Sequence, residues 1–70
     1  MEVLMTDLQK ARAQRDMAIY SEYEQMMSVP GQSATEVSKY LMRKHNIHTI
    51  GTIYVIRKRV EKRLQREGKL

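Results

Sequence analysis

The 70-residue sequence contains no cysteine, no tryptophan and no phenylalanine. Without cysteine, neither disulfide bonds nor thiolate-bound metal ions stabilise the chain, and this composition fits a reducing cytosol. A single proline and three glycines argue against a disordered chain and against a β fold with many turns. Because no long apolar run is present, the sequence predicts neither a signal peptide nor a membrane-spanning helix. A chain of this length forms at most one small domain with a thin core.

Positive charge is concentrated in the second half of the sequence. Residues 1–33 contain three lysines and arginines against five acidic residues, whereas residues 34–70 contain ten against three. The two halves therefore carry −2 and +7, within a total of +5. Such asymmetry is typical of a domain that meets a polyanion with one face, although a basic face without a partner is the plainer alternative.

A first helix is predicted over residues 2–28, which contain neither proline nor glycine. Two apolar rows follow helical spacing: Leu4, Leu8 and Ala11 in the first, and Ile19, Tyr23 and Met26 in the second. A helix of this length spans about 40 Å, which is more than the rest of the chain covers. We therefore expect residues 16–27 to join the core, and residues 1–14 to form an extension that either frays or contacts a second copy of the chain.

A second helix is predicted to follow the break at Pro30 and Gly31. Ser33, with Glu36 three residues later, predicts a capping box at its start. This helix is expected to run to about His45, with an inner face made of Val37, Tyr40 and Leu41.

Asn46 and Ile47 predict a sharp stop after that helix. Asparagine tolerates the left-handed conformation that ends helices, and the apolar residue behind it often folds back onto the helix just completed.

The stretch "IHTIGTIYVIRKRVEKRL" begins with strand-favouring residues and ends with a basic, helical pattern. One apolar stripe crosses this junction without a break in phase: Ile50, Ile53, Ile56, Val60 and Leu64. Since the residue preferences are weak, the stripe predicts a single helix over residues 49–66, with Thr49 as its N-cap. Residues 67–70 are expected to form a flexible tail.

Two helices joined by a tight turn, with small residues at the start of the second and basic residues along it, are typical of a helix-turn-helix. The segments "TEVSKYLMRKHNI" and "TIYVIRKR", preceded by "RDMAIYSEYEQMM", resemble the helix-turn-helix proteins of phages and mobile elements. Similar sequences occur in the homeodomain-like DNA-binding segments of transposases and resolvases. The resemblance covers about residues 15–60 and implies an all-α, three-helix, homeodomain-like helix-turn-helix with a long N-terminal helix, whose DNA-binding domain spans residues 15–66.

The resemblance also implies which residues contact double-stranded DNA. Base contacts are expected from Thr49, Gly51, Thr52, Val55 and Lys58. Phosphate contacts are expected from Lys44, His48, Tyr54, Arg57, Arg59 and Lys62. The sequence departs from the family pattern in one place, because six residues rather than five lead from Ile47 to Ile53, which implies a longer turn or a later helix start.

The expected function is sequence-specific binding of double-stranded DNA, as a small transcriptional regulator or accessory factor of a phage or mobile element. This function implies a cytoplasmic, nucleoid-associated protein that forms a homodimer through the first helix and contacts neither a membrane nor a small-molecule substrate. Two alternatives remain: an adaptor that binds a protein partner through the acidic first helix, and a non-specific binder of RNA or another polyanion.

Catalysis and metal binding are not expected. The sequence offers no set of nucleophile, base and orienting residue, so an enzyme is not predicted, and no cofactor is implied. His45 and His48 straddle a helix end, and no cysteine or carboxylate lies near them in sequence to complete a metal site. Of the four tyrosines, Tyr20, Tyr23 and Tyr40 are expected in the core, and Tyr54 beside the basic face.

Overall fold

The computed structural model describes residues 6–69, which form three helices and no strand. Helix α1 spans Asp7–Met27, α2 spans Ala34–His45 and α3 spans Ile50–Arg66. Helical residues make up 78% of this part of the chain, so the predicted all-α fold is confirmed.

Helix α1 starts later than predicted. Thr6 has an extended backbone, and its hydroxyl accepts from the backbone N–H of Gln9 at 3.1 Å, while the Gln9 side chain accepts from the Thr6 N–H at 2.9 Å. This capping box ends the helix on its N-terminal side, so a continuous helix over residues 2–28 is wrong. The spacing of Thr6 and Gln9 was a start signal that the sequence analysis missed.

The start of α2 agrees with the sequence. Gly31 turns the chain with a φ of 85°, and the Ser33 hydroxyl accepts from the backbone N–H of Glu36 at 3.3 Å. The Ser33 half of the predicted capping box is therefore formed. The Glu36 carboxylate lies 3.7 Å from the Lys39 ammonium.

A four-residue turn connects α2 and α3. Asn46 adopts the left-handed conformation (φ 56°, ψ 49°), and the backbone N–H of Ile47 reaches back to the carbonyl of Met42 at 2.8 Å. These features form the predicted helix stop, in which the Ile47 side chain packs against the core. Thr49 then caps α3 by accepting from the backbone N–H of Thr52 at 3.2 Å, as predicted.

The core lies between the three helices and is almost entirely aliphatic. Its central cluster is Ile19, Tyr23, Val37, Leu41, Ile53 and Ile56. Val60 and Leu64 continue the buried stripe along α3, as the sequence predicted.

Three predictions about the interior are wrong or only partly right. Tyr40 and Ile50 are each 41% exposed, and Tyr20 is only half-buried. Two side chains that are three residues apart on a helix point about 60° away from each other. Ile50, the first residue of α3, is displaced in this way from Ile53 and points out of the core. Tyr40 is displaced from the inner face of α2 in the same way, relative to Val37 and Leu41.

The first apolar row of α1 is exposed wherever the structure describes it. Leu8 is 68% exposed and Ala11 is also exposed, while Leu4 lies outside the described residues.

Candidate nucleic-acid interface

The side of α3 opposite the buried stripe forms an exposed surface that we call the outer face. Its middle row is Gly51, Val55, Lys58 and Lys62, at helical spacings of four, three and four. Thr52 and Arg59 lie on the flank toward α1, and Tyr54 lies on the flank toward α2. All five predicted base-contact residues are exposed and lie on or beside the outer face.

Two threonines share a hydrogen-bond network at the start of the outer face. The Thr49 hydroxyl accepts from the Thr52 backbone N–H, and the two hydroxyl oxygens are 2.8 Å apart. Since one hydroxyl donates to the other, a single hydroxyl hydrogen is left to donate to an external acceptor. The pair is therefore a fixed polar contact point at the N-terminal end of the helix.

Gly51 lies beside that pair, and the fold supplies no steric reason for it. A Cβ atom added at Gly51 meets none of the described atoms within 4 Å, and its φ is not in the left-handed region. Glycine in a helix costs up to about 1 kcal/mol relative to alanine. The residue leaves the helix backbone bare where the outer face begins.

Tyr54 and Lys58 extend the outer face by one turn. Tyr54 is 56% exposed, and the Lys58 ammonium lies 5.6 Å from the centre of its ring. Lys58 also lies 3.7 Å from the Glu61 carboxylate. Such an exposed pair contributes little, so the lysine is able to exchange this partner for another anion.

The predicted phosphate contacts on α3 differ in how far they are engaged within the fold. Lys62 is exposed and has no ion pair within the described part of the chain. Arg59 donates from Nη1 to the Asp16 carboxylate at 3.1 Å, yet 58% of its side chain is exposed. Arg57 is half-buried, because its guanidinium stacks on the Tyr23 ring at 3.6 Å from the ring centre.

Arg57 thus packs at the edge of the core and does not belong to the outer face. Its Nε is buried and has no hydrogen-bond partner in the described structure. It lies beside Tyr54 and Ile50 in a shallow groove of about 190 Å³ between the helices.

Two predicted phosphate contacts lie outside α3. His48 is exposed in the turn. Lys44, near the end of α2, forms a close ion pair with Glu22 of α1. The Lys44 ammonium lowers the pKa of the Glu22 carboxyl below its ordinary value of 4.5, and Glu22 in turn raises the pKa of Lys44 above 10.5.

Glu22 also binds His45, whose Nε2 lies 2.9 Å from the second carboxylate oxygen. His45, the last residue of α2, thus has a carboxylate partner from α1. Within residues 6–69, no group of three or more His, Asp or Glu side chains is arranged to hold a metal ion. No helix in this range is long and apolar enough to cross a membrane.

Two acidic residues of α1, Asp16 and Glu22, were missed as partners of the basic residues. Glu22 gave no signal, because its contacts depend on how α1 and α2 pack. Asp16 did give one, since it lies three residues before Ile19 and seven before Tyr23 and therefore shares their buried face.

Comparisons with known proteins do not alter this picture. No family model, no curated protein and no solved structure matches the chain. The resemblance to helix-turn-helix proteins therefore stays a prediction, and the functional argument rests on the residues and their geometry.

Proposed function

We propose that the protein binds double-stranded DNA sequence-specifically through the outer face of α3, as a small regulator or accessory factor of a phage or mobile element. The observation that carries the proposal is the composition of that face. A bare glycine and a single available threonine hydroxyl come first, an exposed valine follows, and lysines come last. A recognition helix needs small, adaptable residues where it enters the major groove and cations where it passes the phosphates.

The four-residue turn between α2 and α3 supports the same proposal. Its left-handed Asn46 and the Thr49 cap fix where α3 begins. A helix with a defined start presents its first two turns in a constant orientation, which base readout requires. A general polyanion binder needs only charge and gains nothing from such a start.

The exposed Leu8 on α1 favours a second association, between protein chains. The side chain is 68% exposed in the first turn of α1, before the part of that helix that packs in the core. A small module with few base contacts gains specificity when two copies bind adjacent half-sites, so we propose a homodimer through α1. Light scattering with and without DNA tests this, and a monomer under both conditions refutes the homodimer.

The central experiment is a selection of bound duplexes from a random pool, followed by polarisation titrations. The proposal predicts an enriched sequence that competes far better than random duplex, RNA or heparin. Equal competition by all four polyanions contradicts sequence reading and leaves generic polyanion binding. Binding of a protein partner that survives loss of the basic outer face favours the adaptor function instead.

Replacing Gly51 with alanine separates folding from binding. We expect Gly51→Ala to raise the free energy of unfolding by up to about 1 kcal/mol, because the added methyl meets open space and raises helix propensity. The variant should therefore unfold at a higher denaturant concentration than the natural protein. The same methyl is expected to weaken binding to the selected duplex by holding DNA away from the helix. Greater stability with unchanged DNA affinity contradicts a close approach of DNA at Gly51.

Val55 and Lys62 distinguish base contacts from phosphate contacts. Val55→Ala is expected to weaken binding to the selected duplex by roughly 1–3 kcal/mol, with little change on random duplex or in salt dependence. Lys62→Gln is expected to weaken binding to both duplexes by the same factor. It is also expected to lower the slope of log K against log salt by about one unit. If the two variants behave identically on both duplexes, the outer face does not read sequence.

A further inference from the structure

Asp16 is an almost fully buried carboxylate on α1 that binds two arginines at once. It is only 5% exposed. Its Oδ1 accepts from Arg15 Nη2 at 3.2 Å, and its Oδ2 accepts from Arg59 Nη1 at 3.1 Å. A buried charge is costly unless it is paired, and here each oxygen has its own cationic donor. The carboxylate therefore links α1 to α3 through the Arg59 side chain, while Arg15 binds it from the same helix.

The two arginines remain partly in solvent although both bind Asp16. Their side chains are 40% exposed for Arg15 and 58% exposed for Arg59. A guanidinium carries five N–H donors in a planar fork, so the single bond to Asp16 leaves most of the donors of each arginine unused. One carboxylate and two guanidiniums also leave a net charge of +1. Arg15, Asp16 and Arg59, which we call the trio, are consequently a cationic site. In it, Asp16 already holds one edge of each guanidinium.

This site borders a cationic groove along the second half of α3. The groove has a volume of about 430 Å³, and its described lining consists of Arg59, Lys62, Gln65 and Arg66. None of these four side chains is acidic. Arg59 belongs to both the trio and the groove, so the positive surface continues from α3 onto α1.

We propose that Asp16 is a positioning residue that holds Arg15 and Arg59 as a clamp for one backbone phosphate of the bound DNA. This inference rests on the proposed function and extends it, because it places a residue of the acidic half of the chain in the DNA interface. Holding one edge of each guanidinium removes rotamer freedom that would otherwise be lost on binding, so phosphate contact becomes more favourable. The clamp acts on the DNA backbone and adds affinity without sequence information.

The variant Asp16→Asn tests the proposal through the sign of its effect. It keeps the shape of the side chain and makes the protein more positive by one charge. If Asp16 only neutralises nearby arginines, the variant binds DNA more tightly. If Asp16 positions them, the variant binds random duplex more weakly, by roughly threefold to tenfold, the range expected for the net loss of one ordinary hydrogen bond.

Polarisation titrations at several salt concentrations supply the second measurement. Arg15→Gln is expected to lower the slope of log K against log salt by about one unit. Lys10→Gln is the matched control, because it removes the same charge from α1 about 120° around the helix from Asp16 and is expected to change the slope much less. Circular dichroism at the assay temperature identifies folded variants. Because Arg15 is exposed, Arg15→Gln carries the test if Asp16→Asn does not fold.

Tighter or unchanged binding by a folded Asp16→Asn variant overturns the clamp. Equal changes of slope in Arg15→Gln and Lys10→Gln also overturn it, since they show general electrostatic attraction without a site. These outcomes differ from failure of the proposed function, in which the natural protein itself shows no preference for duplex DNA.

Discussion

Two carboxylates on α1, Asp16 and Glu22, each bind two basic side chains, yet their surroundings differ. Asp16 is buried and holds two arginines, one from its own helix and one from α3. Glu22 has 23% of its side chain exposed and holds Lys44 and His45, both from α2. The two carboxylates therefore join α1 to different helices.

Burial is the difference that decides what each contact does. A carboxylate without water depends on its partners for all its hydrogen bonds, so Asp16 fixes their positions strongly. A carboxylate that keeps water loses less when its partners leave, and salt screens its interactions. We therefore assign orientation of a cationic surface to Asp16, and a modest, pH-dependent link between α1 and α2 to Glu22.

The largest expected effect on stability is that of Asp16→Asn. We expect it to lower the free energy of unfolding by about 1–3 kcal/mol, because bonds to a charged acceptor are lost in a buried place. The value stays below that of a fully buried ion pair, since both arginines remain solvated. Urea denaturation measures the change, with Glu24→Gln, an exposed acid on the same helix, as control. Equal losses in both variants contradict a special role for Asp16.

Much of this fold follows from local signals in the sequence. Ser33, Asn46 and Thr49 act through their own neighbours, so their roles as caps and stop were predicted and are found. The stripe from Ile53 to Leu64 was predicted by its period alone. Errors occur where an element ends, as at Ile50, because periodicity does not reveal how far neighbouring helices extend to cover a residue.

The candidate site was less predictable, because it depends on contacts between helices. Exposure of the outer face follows from the position of the buried stripe, which the sequence predicted. The partners of Arg57, Arg59 and Lys44 are residues of α1 that lie 22 to 43 positions away in the sequence. Spacing along one helix does not predict such contacts. Charge counts therefore predicted a basic half of the chain but not which of its cations the fold already holds.

A smaller effect is expected for Glu22→Gln at neutral pH. The variant loses its ion pairs with α2 where water already competes, so the free energy of unfolding should fall by less than about 1 kcal/mol. Thermal denaturation at pH 7 against Glu24→Gln measures it. A loss as large as that of Asp16→Asn would remove the distinction between the two carboxylates.

The pH dependence of that difference is a sharper test than its size. The pKa of Glu22 is lowered by Lys44 and His45, so its contribution is present above 4.5 and is lost as the pH falls through the lowered pKa. The pKa of Lys44 is raised, so its contribution is present below 10.5 and is lost as the pH rises through the raised pKa. The stability of Glu22→Gln should therefore converge with that of the natural protein at both extremes. A difference that persists into strong acid contradicts the ion pair as its source.

The smallest expected effect is the response of each variant to salt. Raising the salt concentration from about 0.1 M to about 1 M shortens the screening length from about 10 Å to about 3 Å, and exposed pairs weaken most. The stability difference between the natural protein and Glu22→Gln should then shrink by a few tenths of a kcal/mol, a large share of its value. The difference for Asp16→Asn should shrink by a smaller share, because little water or salt reaches a carboxylate that is 5% exposed. Denaturation of the natural protein, Glu22→Gln and Asp16→Asn at both salt concentrations measures the fraction of each stability difference that is lost. Equal fractional losses would mean that Asp16 is as well solvated as Glu22, and the orienting role assigned to it would lose its physical basis.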